Sequence, residues 1–140
     1  MNIERKEVVE LLRQVPLFCH LGEPELNSLS GLCQFEVFHD GDIVFDLDDP
    51  SEVAYLIFEG KVHLEAVRKE KTTLCADLKR GDVFGEEALL FDDPRFYQAS
   101  AVGDVVLMRW TVQTYLEHHD EFDGLDERLE VMIKSRELSS

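Results

Sequence analysis

Between Phe35 and Trp110 the chain is cut into short β-type runs by glycine-led pairs, and this punctuation restricts the fold more than any other feature of the sequence. The runs are FEVF, DIVF, VAYLIF, KVHLEAV, TTLCADL, DVFG and SAVGDVVLMRW. Gly41-Asp42, Gly60-Lys61, Gly81-Asp82 and Gly103-Asp104 stand where turns are expected. Runs of this length, rich in β-branched and aromatic residues and with no helical stripe between them, predict an antiparallel sandwich or jelly roll. A parallel sheet is disfavoured, because its strands need helical crossovers.

Helical periodicity frames the β region. Val8, Val9, Leu11, Leu12 and Val15 form an apolar stripe that stops at Pro16, and Leu26, Leu29 and Leu32 follow Pro24, so two short helices are expected first. After Trp110 an apolar face runs through Val112, Tyr115, Leu116, Phe122, Leu125, Leu129, Met132 and Ile133, with Gly124 as the break between two helices. The expected organisation is one unit over residues 1–140, mainly β with flanking α-helices. It has N-terminal helices in 1–34, the jelly roll in 35–110, C-terminal helices in 111–138 and fraying at Ser139-Ser140.

Charge restricts the partners. The 30 acidic against 14 basic residues leave a net charge of -16, a surface that repels nucleic-acid backbones and anionic lipid alike. Neither direct nucleic-acid binding nor membrane attachment is expected. No stretch approaches the roughly 18 consecutive apolar residues of a membrane span, and the N-terminal MNIERKEVVELL is charged where a signal peptide would be apolar. A soluble, cytoplasmic protein is expected. Cys19, Cys33 and Cys75 are odd in number and share no CxxC spacing, which reads as small buried hydrophobes in a reducing compartment. The five histidines, His20, His39, His63, His118 and His119, are scattered without HExxH, and there is no GxSxG, so binding without turnover is expected. Asp46, Asp48, Asp49 and Glu52 crowd together, but Pro50 and Ile57 stand where a calcium loop needs ligands, and no metal is expected.

The chemistry concentrates in FGEEALLFDDPR, residues 84–95. Phe84-Gly85-Glu86 leads into Glu87-Ala88-Leu89-Leu90, whose composition favours a helical turn. Such a helix start would leave unpaired N–H groups at its positive end, and Gly85 would let an anion approach the backbone closely. Arg95, returning after the turn-forming Asp92-Asp93-Pro94, would supply a bidentate guanidinium. The same residues fit a plainer arrangement, with Arg95 in a surface ion pair to Asp92, Asp93 or Glu86, Gly85 an ordinary turn glycine and Glu86 a solvated carboxylate. Spacing leaves both open.

Phe84-Gly85-Glu86, Ala88-Leu89-Leu90 and Pro94-Arg95 resemble the phosphate-binding cassette of cyclic nucleotide-binding domains, the family of catabolite-activator-type regulators, kinase regulatory subunits and gated channels. The resemblance extends over nearly the whole chain. VPLF at 15–18, Leu21, Glu25-Leu26, Gly41-Asp42, Ile43, Phe45, Asp49-Pro50, Tyr55-Leu56-Ile57, Gly60 and Gly81-Asp82 follow the family's order and approximate spacing. It implies an eight-stranded jelly roll (a double-stranded β-helix) with helices at both ends and a cassette over residues 84–101. It also implies that Phe84, Gly85, Glu86, Ala88, Arg95, Phe96 and Tyr97 contact a cyclic nucleotide. In these roles Arg95 neutralises the phosphate, Glu86 accepts from the ribose 2′-hydroxyl, and Gly85 and Ala88 present backbone amides.

The chain departs from the family pattern at several positions. Phe96 and Tyr97 stand where small or hydroxyl-bearing residues are usual, and their rings can crowd the pocket, stack on a purine or pack into the core. Loss of the hydroxyl after Arg95 tilts the expectation towards cyclic AMP over cyclic GMP. Asp48 replaces a turn glycine, which is mild because Asp enters the left-handed region more readily than most residues. No helix-turn-helix follows the last helix, so reading DNA is not the expected output. Arg128, Leu129 and Met132 are a candidate base lid, although that stripe fits core packing or a dimer seam equally well. The leading expectation is a non-catalytic cyclic nucleotide sensor that signals through its C-terminal helix to a homodimer mate or another protein. The alternative is a degenerate fold that acts without ligand as an interaction or dimerisation module. The cradle reading also carries an expectation that Arg95→Ala weakens binding while barely changing stability.

Overall fold

The two N-terminal stripes fold as α1 (Arg5–Gln14) and α2 (Glu23–Leu32), and Pro24 opens α2, where its missing N–H does no harm. The computed structural model describes residues 2–139, with side chains through residue 135. α1 buries Val8, Val9, Leu11 and Leu12, and α2 buries Leu26 and Leu29. Trp110 donates its indole N–H to the Leu29 carbonyl at 2.9 Å and ties α2 to the sheet. After the sheet come α3 (Val112–His118), a short 3₁₀ turn and α4 (Leu125–Ser139). The expected break falls at Gly124, whose φ of 82° favours glycine. Ser140, where fraying is expected, lies outside the described residues. None of the described helices is long and apolar enough to cross a membrane.

The sheet has six strands, all paired antiparallel: β1 (Gln34–Phe38), β2 (Ile43–Phe45), β3 (Val53–Arg68), β4 (Lys71–Lys79), β5 (Val83–Phe84) and β6 (Gln98–Thr111). β3 and β6 run side by side for most of their length. β1 and β2 line the other edge of β6, and β4 and β5 line the other edge of β3. Two of the expected turns are absent. VAYLIF and KVHLEAV form one 16-residue strand through Gly60, and Gly103-Asp104 lies inside β6. Both glycines are irregularities in a continuous ladder, where the β3–β6 register shifts. At Gly60 (φ 97°) a Cβ would sit 2.5 Å from the Asp104 carbonyl oxygen, so only glycine fits. Split at these two glycines, the six strands become the eight that the resemblance implies.

The bulge at Gly60 also sets which side chains point inwards. Before it Tyr55 and Ile57 enter the inner core, and after it Val62, Leu64 and Ala66 do, a switch from odd to even positions that one extra residue produces. Leu56 and Phe58 face the other way, into a second core built with α1, α2, α3 and α4. The cassette lies between these two cores.

The cysteines differ from expectation. Cys19 and Cys75 are exposed and only Cys33 is partly buried. Cys75 takes a solvent-facing position between inward Leu74 and Ala76 on β4, and Cys19 lies in the turn after α1, its thiol 3.4 Å from the Pro16 carbonyl. Burial pushes the Cys33 thiol up to about 11. At pH 8 roughly one Cys33 in a thousand is thiolate. A thiol reagent should therefore label Cys19 and Cys75 at least about tenfold faster than Cys33, read by mass spectrometry of the native protein.

On the outer face of β3 and β4, His63 lies between Asp77 (2.7 Å) and Glu65 (3.1 Å). Its hydrogen bonds to Asp77 and then Glu65 raise its pKa above 6.5. A pKa raised on folding stabilises fully below the unfolded value and is lost as pH rises through the folded one. His63→Gln should therefore destabilise the protein more at pH 6 than at pH 9 in denaturant titrations. The difference should stay below about 1 kcal/mol, because the pair is partly solvated.

Candidate functional site

β5 delivers the chain to Gly85, which adopts a left-handed conformation (φ 72°, ψ 8°) and caps a single 3₁₀ turn, Glu86–Leu89. The helical turn that composition favours is therefore one tight turn of four residues rather than a helix with a row of open amides. A Cβ at position 85 would stand 3.1 Å from Arg95 Nη1, 3.2 Å from the Val53 carbonyl oxygen and 3.3 Å from the Phe45 ring, so this glycine allows close approach as well as the turn. The Ala88 amide donates to the Gly85 carbonyl at 3.2 Å. The Gly85 amide donates to the Tyr97 hydroxyl at 2.7 Å.

Arg95 is held by its backbone on both sides. Its N–H donates to the Asp49 carbonyl at 2.8 Å, and its carbonyl accepts from the Asp48 N–H at 2.7 Å. Asp48 sits at φ 70°, the left-handed conformation expected where it replaces glycine. This loop clamp turns the arginine inwards, and Arg95 is 2% exposed. Its Nη1 donates to the Gly85 carbonyl at 2.9 Å and to Glu87 Oε1 at 3.1 Å, and its Nη2 donates to the Val53 carbonyl. The guanidinium carbon stands 4.0 Å from the centroid of the Phe45 ring, a cation–π contact. Nε is buried and has no hydrogen-bond partner among the described residues.

The arginine's partner is thus neither Asp92, Asp93 nor Glu86, and the pair is not on the surface. It is Glu87, whose side chain is 10% exposed. Glu87 was not among the candidate residues. Its second oxygen accepts from the Tyr97 hydroxyl at 3.3 Å, so one carboxylate bridges the guanidinium and the phenol. Tyr97 is fully buried in the inner core, 5.3 Å from Phe45, and half-buried Phe96 packs edge-on against it at 4.7 Å. Both rings pack against the inner core, and the Tyr97 hydroxyl also reaches into the cassette at the Gly85 amide.

The other candidates are distributed around this centre. Phe84 stacks on Tyr55 at 5.1 Å within the inner core. Glu86 is fully buried and lines a small cavity of about 30 Å³ shared with Leu89, Tyr115, Phe122 and Leu129. Leu129 belongs to the helical core. Arg128 and Met132 instead line a larger cavity of about 750 Å³ between α4, residues 15–17 and β4, where Val83 forms part of the wall. Arg128 is pinned there by a 2.8 Å hydrogen bond to the Pro16 carbonyl. That volume suits a small organic ligand. Among the described residues no group of three or more His, Cys, Asp or Glu is arranged to hold a metal.

The family model described as cyclic nucleotide-binding domain matches residues 35–120. The cAMP-dependent protein kinase regulatory subunit of Dictyostelium discoideum is 34% identical over 104 residues, which cover 71% of this chain and 32% of that protein. The cGMP-dependent protein kinase 2 of Mus musculus is 27% identical over 128 residues, covering 89% of this chain and 17% of the kinase. This chain therefore spans a third or less of either relative. The crystal structure of the Thermus thermophilus catabolite activator protein superposes with a TM-score of 0.79 at 27% identity, covering 86% of this chain and 57% of that one. The antiparallel jelly roll with helices at both ends is thus the fold this chain shares with it.

The burial of Arg95 revises the expectation about its removal. Arg95→Ala would strand the Glu87 carboxylate away from water, and breaking one side of a buried pair destabilises by about 3–5 kcal/mol. Denaturant unfolding should show a loss of that size. Replacing both partners with apolar residues, Arg95→Met with Glu87→Leu, should recover most of it. A loss below about 1 kcal/mol for Arg95→Ala would contradict the buried pairing.

Proposed function

This chain belongs to the cyclic nucleotide-binding domain family, and we propose that it is a non-catalytic module that binds a cyclic nucleotide and signals through α4. The observation that carries this reading is the buried Arg95 guanidinium, held against Gly85 one residue before buried Glu86 and left with an unpaired Nε–H. A desolvated cation with a free donor is a strong attractor for a phosphodiester, because charge-assisted hydrogen bonds strengthen as water is excluded. Glu86 is assigned the ribose 2′-hydroxyl. Cyclic AMP is preferred over cyclic GMP because Phe96 supplies no hydroxyl beside Arg95. Arg128 and Met132, on the wall of the 750 Å³ cavity, are assigned to the base.

Output through α4 is supported by packing. The cassette turn and α4 share the 30 Å³ cavity, which Leu89 of the turn and Leu129 of α4 both line, so a shift of the turn is felt by the helix. α4 also exposes Val131, at 70%, to a partner or a second copy. A second reading, a module that works without ligand, is favoured by one observation: the Gly85 amide and the Arg95 guanidinium already have partners in Tyr97 and Glu87.

Calorimetry separates the readings. The folded protein should release or absorb heat with cyclic AMP and more weakly with cyclic GMP. Glu86→Gln should weaken cyclic AMP by about tenfold while leaving 2′-deoxy cyclic AMP nearly unchanged. Equal losses for the two ligands would remove Glu86 from the ribose. No heat at millimolar nucleotide with a folded sample would favour the ligand-free module.

A further inference from the structure

We infer that the Glu87 carboxylate and the Tyr97 hydroxyl are the resident occupants of the anion cradle in the ligand-free protein, and that these two residues set its affinity because a cyclic nucleotide must displace them. The inference rests on the cyclic nucleotide reading above and adds the exchange by which the site fills.

Glu87 accepts from Arg95 Nη1 at 3.1 Å through one oxygen and from the Tyr97 hydroxyl at 3.3 Å through the other. The Tyr97 oxygen in turn accepts the Gly85 amide at 2.7 Å, and Arg95 closes the ring on the Gly85 carbonyl at 2.9 Å. The guanidinium that a phosphate would use, and the amide beside it, are both engaged by one carboxylate and one phenol. Two acceptor oxygens on a single negative charge are what a phosphodiester also presents.

Charge sets the rule of exchange. Arg95 and Glu87 form a buried pair, one cation against one carboxylate. Adding a phosphodiester without removing Glu87 would set two negative charges against the one Arg95 cation away from water, which is strongly unfavourable. Exchange keeps the count constant, since one anion leaves as one enters. Glu87 retains 10% exposure, so its route to solvent is short, and the Arg95 Nε–H that Glu87 leaves unpaired is a donor a phosphate oxygen can take. The incoming anion therefore gains a hydrogen bond that the resident one lacks.

Calorimetry with cyclic AMP on the wild type, Glu87→Gln and Tyr97→Phe tests the exchange, each protein first checked for cooperative thermal unfolding. Glu87→Gln removes the competing charge at constant shape and should tighten binding by about tenfold or more. Tyr97→Phe frees the Gly85 amide, keeps the Arg95–Glu87 pair and should tighten binding severalfold. It serves alone should Glu87→Gln fail to fold. A wild type that binds, with folded variants that bind no more tightly, overturns the exchange and leaves the nucleotide reading standing. Absence of binding in all the folded proteins overturns both.

Discussion

A permanently charged guanidinium buried between two hydrophobic layers is the constraint around which this site is organised. Arg95 is almost fully removed from water, and such a cation persists only where its charge and its donors are met. The fold meets them with the Gly85 and Val53 carbonyls, the Phe45 face and Glu87. They come from three stretches of chain, Phe45 from β2, Val53 from β3, and Gly85 and Glu87 from the cassette turn. The strand β3, the loop at 46–49 and the cassette turn must therefore be in place together for the site to exist, which ties its geometry to the integrity of the sheet.

The same arrangement places the site where it can be heard. The cassette turn is sandwiched between the inner core, which holds Phe84 and Tyr97, and the helical core, which holds Leu125 and Leu129. Close-packed interiors transmit displacement because they leave few voids to absorb it. On the proposed reading, replacing the resident carboxylate by a ligand phosphate repositions the turn, and α4 responds through Leu89.

Much of this was legible in the sequence. Helical stripes gave way to β runs where periodicity changed, and the ordered set from Val15 to Arg95 pointed to the family. Turn signals succeeded at Gly41 and Gly81 but misled at Gly60 and Gly103, because a glycine with positive φ serves a bulge as well as a turn, and pairing with a distant strand decides between them. Glu87 was missed for a related reason. Spacing puts four carboxylates within reach of Arg95, and only the tight 3₁₀ turn turns Glu87 inwards. A usable signal was present: Phe96 and Tyr97, unusual after the arginine, hinted that the chain's own side chains pack around this turn.

The account is tested most directly by nitrogen-15 NMR of the Arg95 Nε–H and the Gly85 amide during titration with cyclic AMP. If the cradle exchanges its internal anion for a phosphate, both signals move together and saturate, and the Nε proton becomes slower to exchange with water. If both signals stay fixed at saturating nucleotide, the Arg95–Glu87 pair is a permanent structural element and not a ligand site.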